Sequence, residues 1–265
     1  MTRVVSITPM HTIFISGGAR GIGAAVAKRF AQEGWTVGIY DVTPESPEVA
    51  ALQAQHGARV ITGVLDVTSA EGWERALADF TGKTGKPIDV LHNNAGVLVA
   101  GDLAQLSPDE VALQINVNCL GLTLGARAAS EHLSAGGTLV NMGSASAIYG
   151  QPGIATYSAS KFYVQGLTEA LDLEWRRRGI RVVSINPLWA KTALAQVDVG
   201  STRRLGVRIT PEQVAEAVWG AVHPANRWQR TQIHYGVSLT DRLLATAGRF
   251  APQRLARLIN RLIAG

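Results

Sequence analysis

Two spacings alternate along the chain. Short runs rich in β-branched and apolar residues fall at 12–16, 36–40, 59–65, 89–93, 137–142 and 181–185, a length and composition that predict buried strands. Between them, 22–33, 47–56, 69–81, 107–133 and 157–178 carry helix-like spacing, and Pro211 is placed to open a further helix. Repeated strand–helix alternation predicts βαβ units, hence a parallel sheet with helices on both faces. No internal repeat or linker interrupts it, so 1–265 reads as a single α/β domain with its core over about 12–235. The least regular stretch, 188–210, follows the sixth strand. Open α/β sheets hold ligands beyond the carboxyl ends of their strands, which makes 188–210 a candidate substrate lid.

The pattern changes in the last part of the chain, about 239–265. Leu255, Leu258, Ile259, Leu262 and Ile263 share one helical face, while Arg254, Arg257 and Arg261 project elsewhere. Leu239, Leu243, Leu244, Ala247 and Phe250 continue the apolar pattern upstream of Pro252. Two readings fit this C-terminal amphipathic helical extension. A helix pair packs on the protein's own body or a neighbouring subunit, or a basic helix makes peripheral contact with an anionic membrane.

Composition narrows the function classes. The chain is 46% hydrophobic and 17% charged, as expected of a globular protein, and no run of about 18 apolar residues predicts a transmembrane helix. The first residues read as a short tail running into a strand, without a secretory pattern. The single cysteine, Cys119, cannot form an internal disulfide, so a reducing, cytoplasmic setting is expected. The formal charge of +5 is local: 239–265 holds Arg242, Arg249, Arg254, Arg257 and Arg261 against one acid, Asp241. The remainder is nearly neutral, which argues against a nucleic-acid partner. The six histidines are scattered singly, so no metal site is expected.

Candidate chemistry begins where the first strand ends, in Ser16-Gly17-Gly18-Ala19-Arg20-Gly21-Ile22-Gly23, with a helix following at once. Glycines there let the backbone turn tightly and approach a pyrophosphate, whose charge the helix N-terminus stabilises. Asp41 closes the second strand, where a carboxylate accepts from both adenosine ribose hydroxyls and repels a 2′-phosphate. That favours NAD. Arg20, inside the turn, is the counterweight, because a guanidinium there could reach the 2′-phosphate of NADP.

Further along, Asp66-Val67 follows the third strand and Asn93-Asn94-Ala95-Gly96 closes the fourth. Tyr157-Ser158-Ala159-Ser160-Lys161 opens a helix thirteen residues after Ser144. Taken in order over about 12–235, these segments resemble the short-chain dehydrogenase/reductase family. Ser16 to Gly23 is similar to its T-G-x-x-x-G-I-G turn with Ser for Thr. The later segments are similar to its adenine-contacting Asp-Val, its N-N-A-G and its Y-x-x-x-K. Asn118-Cys119-Leu120-Gly121 fits the family's N-x-x-G, whereas Asn116 does not. The resemblance implies a Rossmann-type doubly wound sheet and NAD, or alternatively NADP, as cofactor. It implies cofactor contacts at Gly17, Arg20, Gly21, Ile22, Gly23, Asp41, Asp66, Val67, Asn94, Ala95, Gly96, Lys161, Pro187 and Thr192. Catalytic roles are implied for Ser144, Tyr157, Lys161 and Asn118. It also implies a homodimer or homotetramer paired through the helices near 107–133 and 157–178.

The implied reaction moves a hydride between nicotinamide and a secondary alcohol or ketone. A tyrosine is a poor base near neutrality, and a lysine four residues later lies on the same helical face, where its charge would favour phenolate. Tyr157 is then the acid/base and Ser144 donates to the substrate oxygen. Lys161 also reaches the nicotinamide ribose, and Asn118 holds a water passing protons from Lys161 to solvent. Ser146, in the same loop as Ser144, is either a loop former or a substrate contact. A non-catalytic nucleotide-sensing scaffold is disfavoured because this set is complete. One departure stands out: the family's N-P-G after the sixth strand is Asn186-Pro187-Leu188 here, followed by Trp189. Losing glycine removes easy access to positive φ, and together with Trp189 and the tail it suggests an apolar substrate.

Overall fold

The strands lie side by side in an order that reverses at the middle of the sheet. The computed structural model describes residues 11–250 and 252–264. β1 (Thr12–Ser16), β2 (Thr36–Asp41), β3 (Val60–Val64), β4 (Ile88–Asn93), β5 (Leu133–Met142), β6 (Arg181–Ile185) and β7 (His234–Tyr235) form one sheet ordered β3-β2-β1-β4-β5-β6-β7. Every neighbouring pair is parallel. The reversal between β1 and β4 opens a crevice beyond their carboxyl ends.

Side chains along the strands alternate between two apolar layers. Ile13, Ile15, Val37, Ile39 and Val140 meet α1 (Gly21–Gln32), α2 (Pro47–His56) and, later in the chain, the helix Pro211–Val222. Phe14, Tyr40, Leu91 and Leu139 face the other way. They meet Trp73, Leu77 and Phe80 of α3 (Ala70–Thr84), and Ala126 and Ala129 further on. Burial on both faces is why these strands read as apolar runs. Each large side chain so buried contributes about 1.5–3 kcal/mol. α3 starts at an N-cap, Ser69, whose side chain accepts from Gly72 N, and stops at Gly85 in the left-handed region.

The stretch 107–133, read as one helix, is α4 (Pro108–Ile115) and α5 (Leu122–His132) joined by a π-helical turn at Asn116–Gly121. The wider turn offsets the helical register and buries Asn118, Cys119 and Gly121 together. α6 (Ala155–Trp175) follows β5. A buried polar chain fixes its height over the sheet. Asn93 Nδ2 donates to Asn141 Oδ1 at 3.2 Å and Asn141 Nδ2 donates to Thr168 Oγ1 at 3.1 Å. β5 begins at Leu133, earlier than its pattern predicts, with a register shift opposite Ile88 and Val90. β7, only two residues long, carries no sequence pattern.

The stretch 188–210 is not a free loop. Ala190 and Ile209 bridge in parallel at its base, and α7 (Gly200–Leu205) lies within it. α8 (Pro211–Val222) is opened by Pro211 as predicted, behind the N-cap Thr210. α9 (Arg227–Arg230), α10 (Leu239–Phe250) and α11 (Gln253–Ala264) complete the chain described. Asp241, buried near the start of α10, accepts from the N–H groups of Leu188, Val237 and Ser238 at 3.4, 3.0 and 3.1 Å. No non-glycine residue among those described has positive φ, so Leu188 takes an ordinary backbone where the family has glycine.

The tail packs through only part of the five-residue apolar face read from its sequence, with Ile259 and Ile263 half-buried. Its buried contacts are Ala256 and Ala264, while Leu255, Leu258 and Leu262 stay exposed. No helix among the described residues is long and apolar enough to cross a membrane. The expected N-terminal tail, residues 1–10, lies outside the described residues, as do the side chains of Arg249 and Phe250.

Candidate active site

The glycine turn is held open by its neighbours. Gly17 has φ +62, and a Cβ there would lie 2.7 Å from the Ala95 Cα, so only glycine fits between β1 and the end of β4. Asn94 clamps the turn, its Nδ2 donating to Gly17 O at 2.7 Å and Ser16 O at 3.1 Å. Ser16 Oγ accepts in return from the N–H groups of Asn94 and Ala95. α1 starts immediately after Arg20, with no side-chain cap and no acid in its first turn. Its first N–H groups and the dipole therefore favour an anion at this end.

Asp41 leaves β2 beside this turn. Its Oδ2 accepts from Ala19 N at 3.2 Å and its Oδ1 from Thr43 N at 3.3 Å. Asp66 is exposed at the end of the crevice, and Val67 is buried next to it. A narrow cradle that a Cβ would fill, an uncapped helix N-terminus and a fixed carboxylate suit a dinucleotide: pyrophosphate at the turn, adenosine ribose at Asp41.

All the predicted cofactor residues except Gly23 line one cavity of about 790 Å³, together with Ser144, Tyr157 and Lys161. Gly23 lies behind it, where a side chain would meet the Gly17 carbonyl. Asn118 also sits behind the wall. Its Oδ1 accepts from Val97 N at 2.9 Å, and its Nδ2 donates to Val97 O at 2.8 Å and Ser160 Oγ at 3.2 Å. Its side chain is thus committed to position. Asn116, set aside on sequence, is not among the cavity's lining residues.

Tyr157 and Lys161 stand on the first turns of α6, Lys161 only 4% exposed. Lys161 Nζ donates to Met142 O at 2.9 Å and lies 5.4 Å from the centre of the Tyr157 ring. Burial pulls the ammonium down to about 8. Burial pushes the Tyr157 phenol up to about 12, partly offset by a hydrogen bond with Ser144. The sequence reading expects Lys161 to lower the tyrosine. Here burial is the leading influence on the phenol, and the ammonium is engaged by the Met142 carbonyl. The phenol keeps its proton near neutrality, the state needed to give one.

Beyond the catalytic groups the cavity is walled by Val97, Leu98, Leu113, Val117, Trp189 and Leu194, which converge from three separate segments. Two polar groups interrupt this apolar end. Ser146 Oγ is buried and finds no hydrogen-bond partner among the described residues. Gln151 receives a hydrogen bond at its Oε1 from Ser201 Oγ of α7 at 2.7 Å, and Trp189 Nε1 donates to the same hydroxyl at 3.1 Å. Sequence reasoning missed Gln151 and Ser201. Nothing in their spacing marks them, since 50 residues and the sheet's carboxyl edge separate them.

Comparison with known proteins agrees with this geometry. A family profile described as short chain dehydrogenase matches residues 11–200. The chain is 34% identical over 204 residues to trans-4-hydroxycyclohexanecarboxylate dehydrogenase of Sinomonas cyclohexanicum, covering 73% of this chain and 78% of that one. It superposes on 3-ketoacyl-(acyl-carrier-protein) reductase of Brucella melitensis, solved with NADH, with TM-score 0.76 and 26% identity. That match covers 86% of this chain and 96% of that one. A blue fluorescent protein from a metagenomic library, solved with NADPH, matches with the same TM-score, identity and coverages.

Proposed function

Given that the chain belongs to the short-chain dehydrogenase family, we propose that it is an NAD-linked oxidoreductase of secondary alcohols or ketones carried on apolar, ring-sized bodies. The family establishes an oxidoreductase of alcohol groups that uses NAD(P). What carries the finer reading is a single observation: Ser144, Tyr157 and Lys161 share one cavity with the glycine turn and Asp41, and its far end is apolar. The Sinomonas relative's name, a hydroxycyclohexane acid dehydrogenase, agrees with such a body.

Bound in the cradle, nicotinamide would supply the hydride acceptor or donor. Tyr157 gives its phenolic proton to the substrate oxygen in reduction, or takes the alcohol proton in oxidation. Ser144 donates to the same oxygen as charge builds there. Lys161 keeps a positive charge beneath the ring and faces the cofactor side of the cavity. Asn118 acts through position, holding Val97 and the Ser160 turn of α6, so any water on its proton path would rest on its backbone. Gln151, its Oε1 engaged by Ser201, lines the substrate end of the cavity as a polar group.

NADP is the second reading, favoured by Arg20, which lines the same cavity. The protein is also proposed to be a cytoplasmic homo-oligomer. Leu120, beside α5, and Phe162, Tyr163 and Leu173 of α6 are exposed and large, as a paired helix face requires. Tyr157→Phe should lower turnover by about 10²–10⁴-fold while NAD(H) titration stays within about twofold of wild type. Turnover surviving that change overturns the acid/base assignment, and a clear preference for NADP(H) overturns the reading of Asp41.

A further inference from the structure

α11 has three sides, and only one of them touches the protein. Ala256 and Ala264 are buried, Asn260 Nδ2 donates to Gly150 O at 2.8 Å, and Arg204 Nη1 donates to the carbonyls of Arg261 and Leu262 at 2.9 and 2.7 Å. Gly200 leaves room for the Ala264 carbonyl at the start of α7. These contacts fix the rotation of the helix. The opposite arc therefore faces outward by construction. On it stand Leu255, Leu258 and Leu262, which are 48%, 54% and 66% exposed. Arg254, Arg257 and Arg261 flank them, exposed and in no ion pair among the described residues. α10 adds Leu239 and Leu243 with Arg242. The acid of these two helices, Asp241, is buried and occupied with backbone N–H groups.

We propose that this Leu–Arg arc of α11 docks on an anionic lipid bilayer. Two other occupants fit worse. A second copy seated face to face would set these arginines against their own counterparts, and a phosphate backbone would leave the leucines unmatched. An anionic bilayer meets both demands, with leucines at the acyl boundary and arginines among the headgroups. Docking there has a functional consequence. Gly150, gripped by Asn260, precedes Gln151 of the cavity, and α7, gripped by α11, supplies Ser201. The substrate end of the cavity would lie beside the lipid from which an apolar substrate comes.

The test is co-sedimentation of the full-length protein with phosphatidylcholine vesicles, with and without phosphatidylglycerol, at low and high salt. Two variants accompany it: Leu255→Ser/Leu258→Ser/Leu262→Ser and Arg254→Gln/Arg257→Gln/Arg261→Gln. The proposal expects binding to the anionic vesicles alone, released by salt and lost in both variants. The arginine variant should lose about 100-fold in partition, on the order of fivefold for each charge. NAD(H) affinity and turnover in solution should stay at wild-type values, since these side chains touch neither cavity nor core. Absence of wild-type binding overturns the proposal. So does full retention by the leucine variant, which would mean adsorption by charge alone, or a lower oligomeric mass in that variant, which would assign the arc to a second copy.

Discussion

The two ends of the cavity are built differently. At the cofactor end, most of the wall is made of strand termini and the turns that follow them. Asn94 and Ser16 lock β1 to β4, and Asp41 holds Ala19 across from β2, all through main-chain partners. At the substrate end, walls arrive from 97–117, 144–151 and 188–201, and side chains join them: Trp189 to Ser201, Ser201 to Gln151. The tail beyond hangs on Asp241 and Asn260. Backbone geometry fixes the site for a ligand of constant shape. Side-chain packing, which can change without disturbing the sheet, shapes the site for the ligand that varies.

The contrast can be broken at three points. The largest effect is expected at Gly17→Ala, which forces a Cβ into a left-handed position 2.7 Å from the Ala95 Cα. Strain of about 1–3 kcal/mol there should weaken NAD(H) binding roughly 10- to 100-fold by fluorescence titration. Affinity held within twofold would show that the turn gives way.

Next is His92, fully buried on β4 behind the Asn93-Asn94 clamp, with both ring nitrogens unpartnered among the described residues. Burial holds its protonation down to about 3, against 6.5 for a free histidine. Above pH 6.5 both folded and unfolded chains carry it neutral, and nothing is lost. Below 6.5 only the unfolded chain gains the proton, so stability falls as pH drops toward 3, by up to about 1.4 kcal/mol per unit. Urea midpoints at pH 7 and 5.5 should diverge more for wild type than for His92→Val. Equal divergence would place the acid sensitivity elsewhere.

The smallest effect belongs to the substrate end. Ser201→Ala leaves Gln151 and Trp189 without their shared partner, a loss of about 1 kcal/mol. Substrate KM should rise several-fold while cofactor affinity holds. A parallel change in cofactor affinity would mean that the two ends are one mechanical unit.

Much of this was legible in the chain because it depends on neighbours in sequence. A strand ending in a glycine turn, an acid closing the next strand and a tyrosine four residues before a lysine are local patterns whose geometry the backbone enforces. The apolar face of the tail was equally legible as a pattern, yet its orientation was not. The helix turns Ala256, Asn260 and Ala264 inward and leaves the leucines out, because small residues let it approach α7 closely. The environment of Tyr157 divides in the same way. Spacing puts Lys161 on the same face, but only tertiary packing decides that burial raises the Tyr157 phenol and that Met142 engages the lysine. The sequence by itself determined the parallel sheet and the glycine turn with its acid, since strand burial and helical period are local properties, while the Ser144–Tyr157–Lys161 set was legible through the family resemblance. Tertiary structure alone decided how Gln151 meets Ser201 and which side of α11 faces outward, because those depend on elements brought together across the fold.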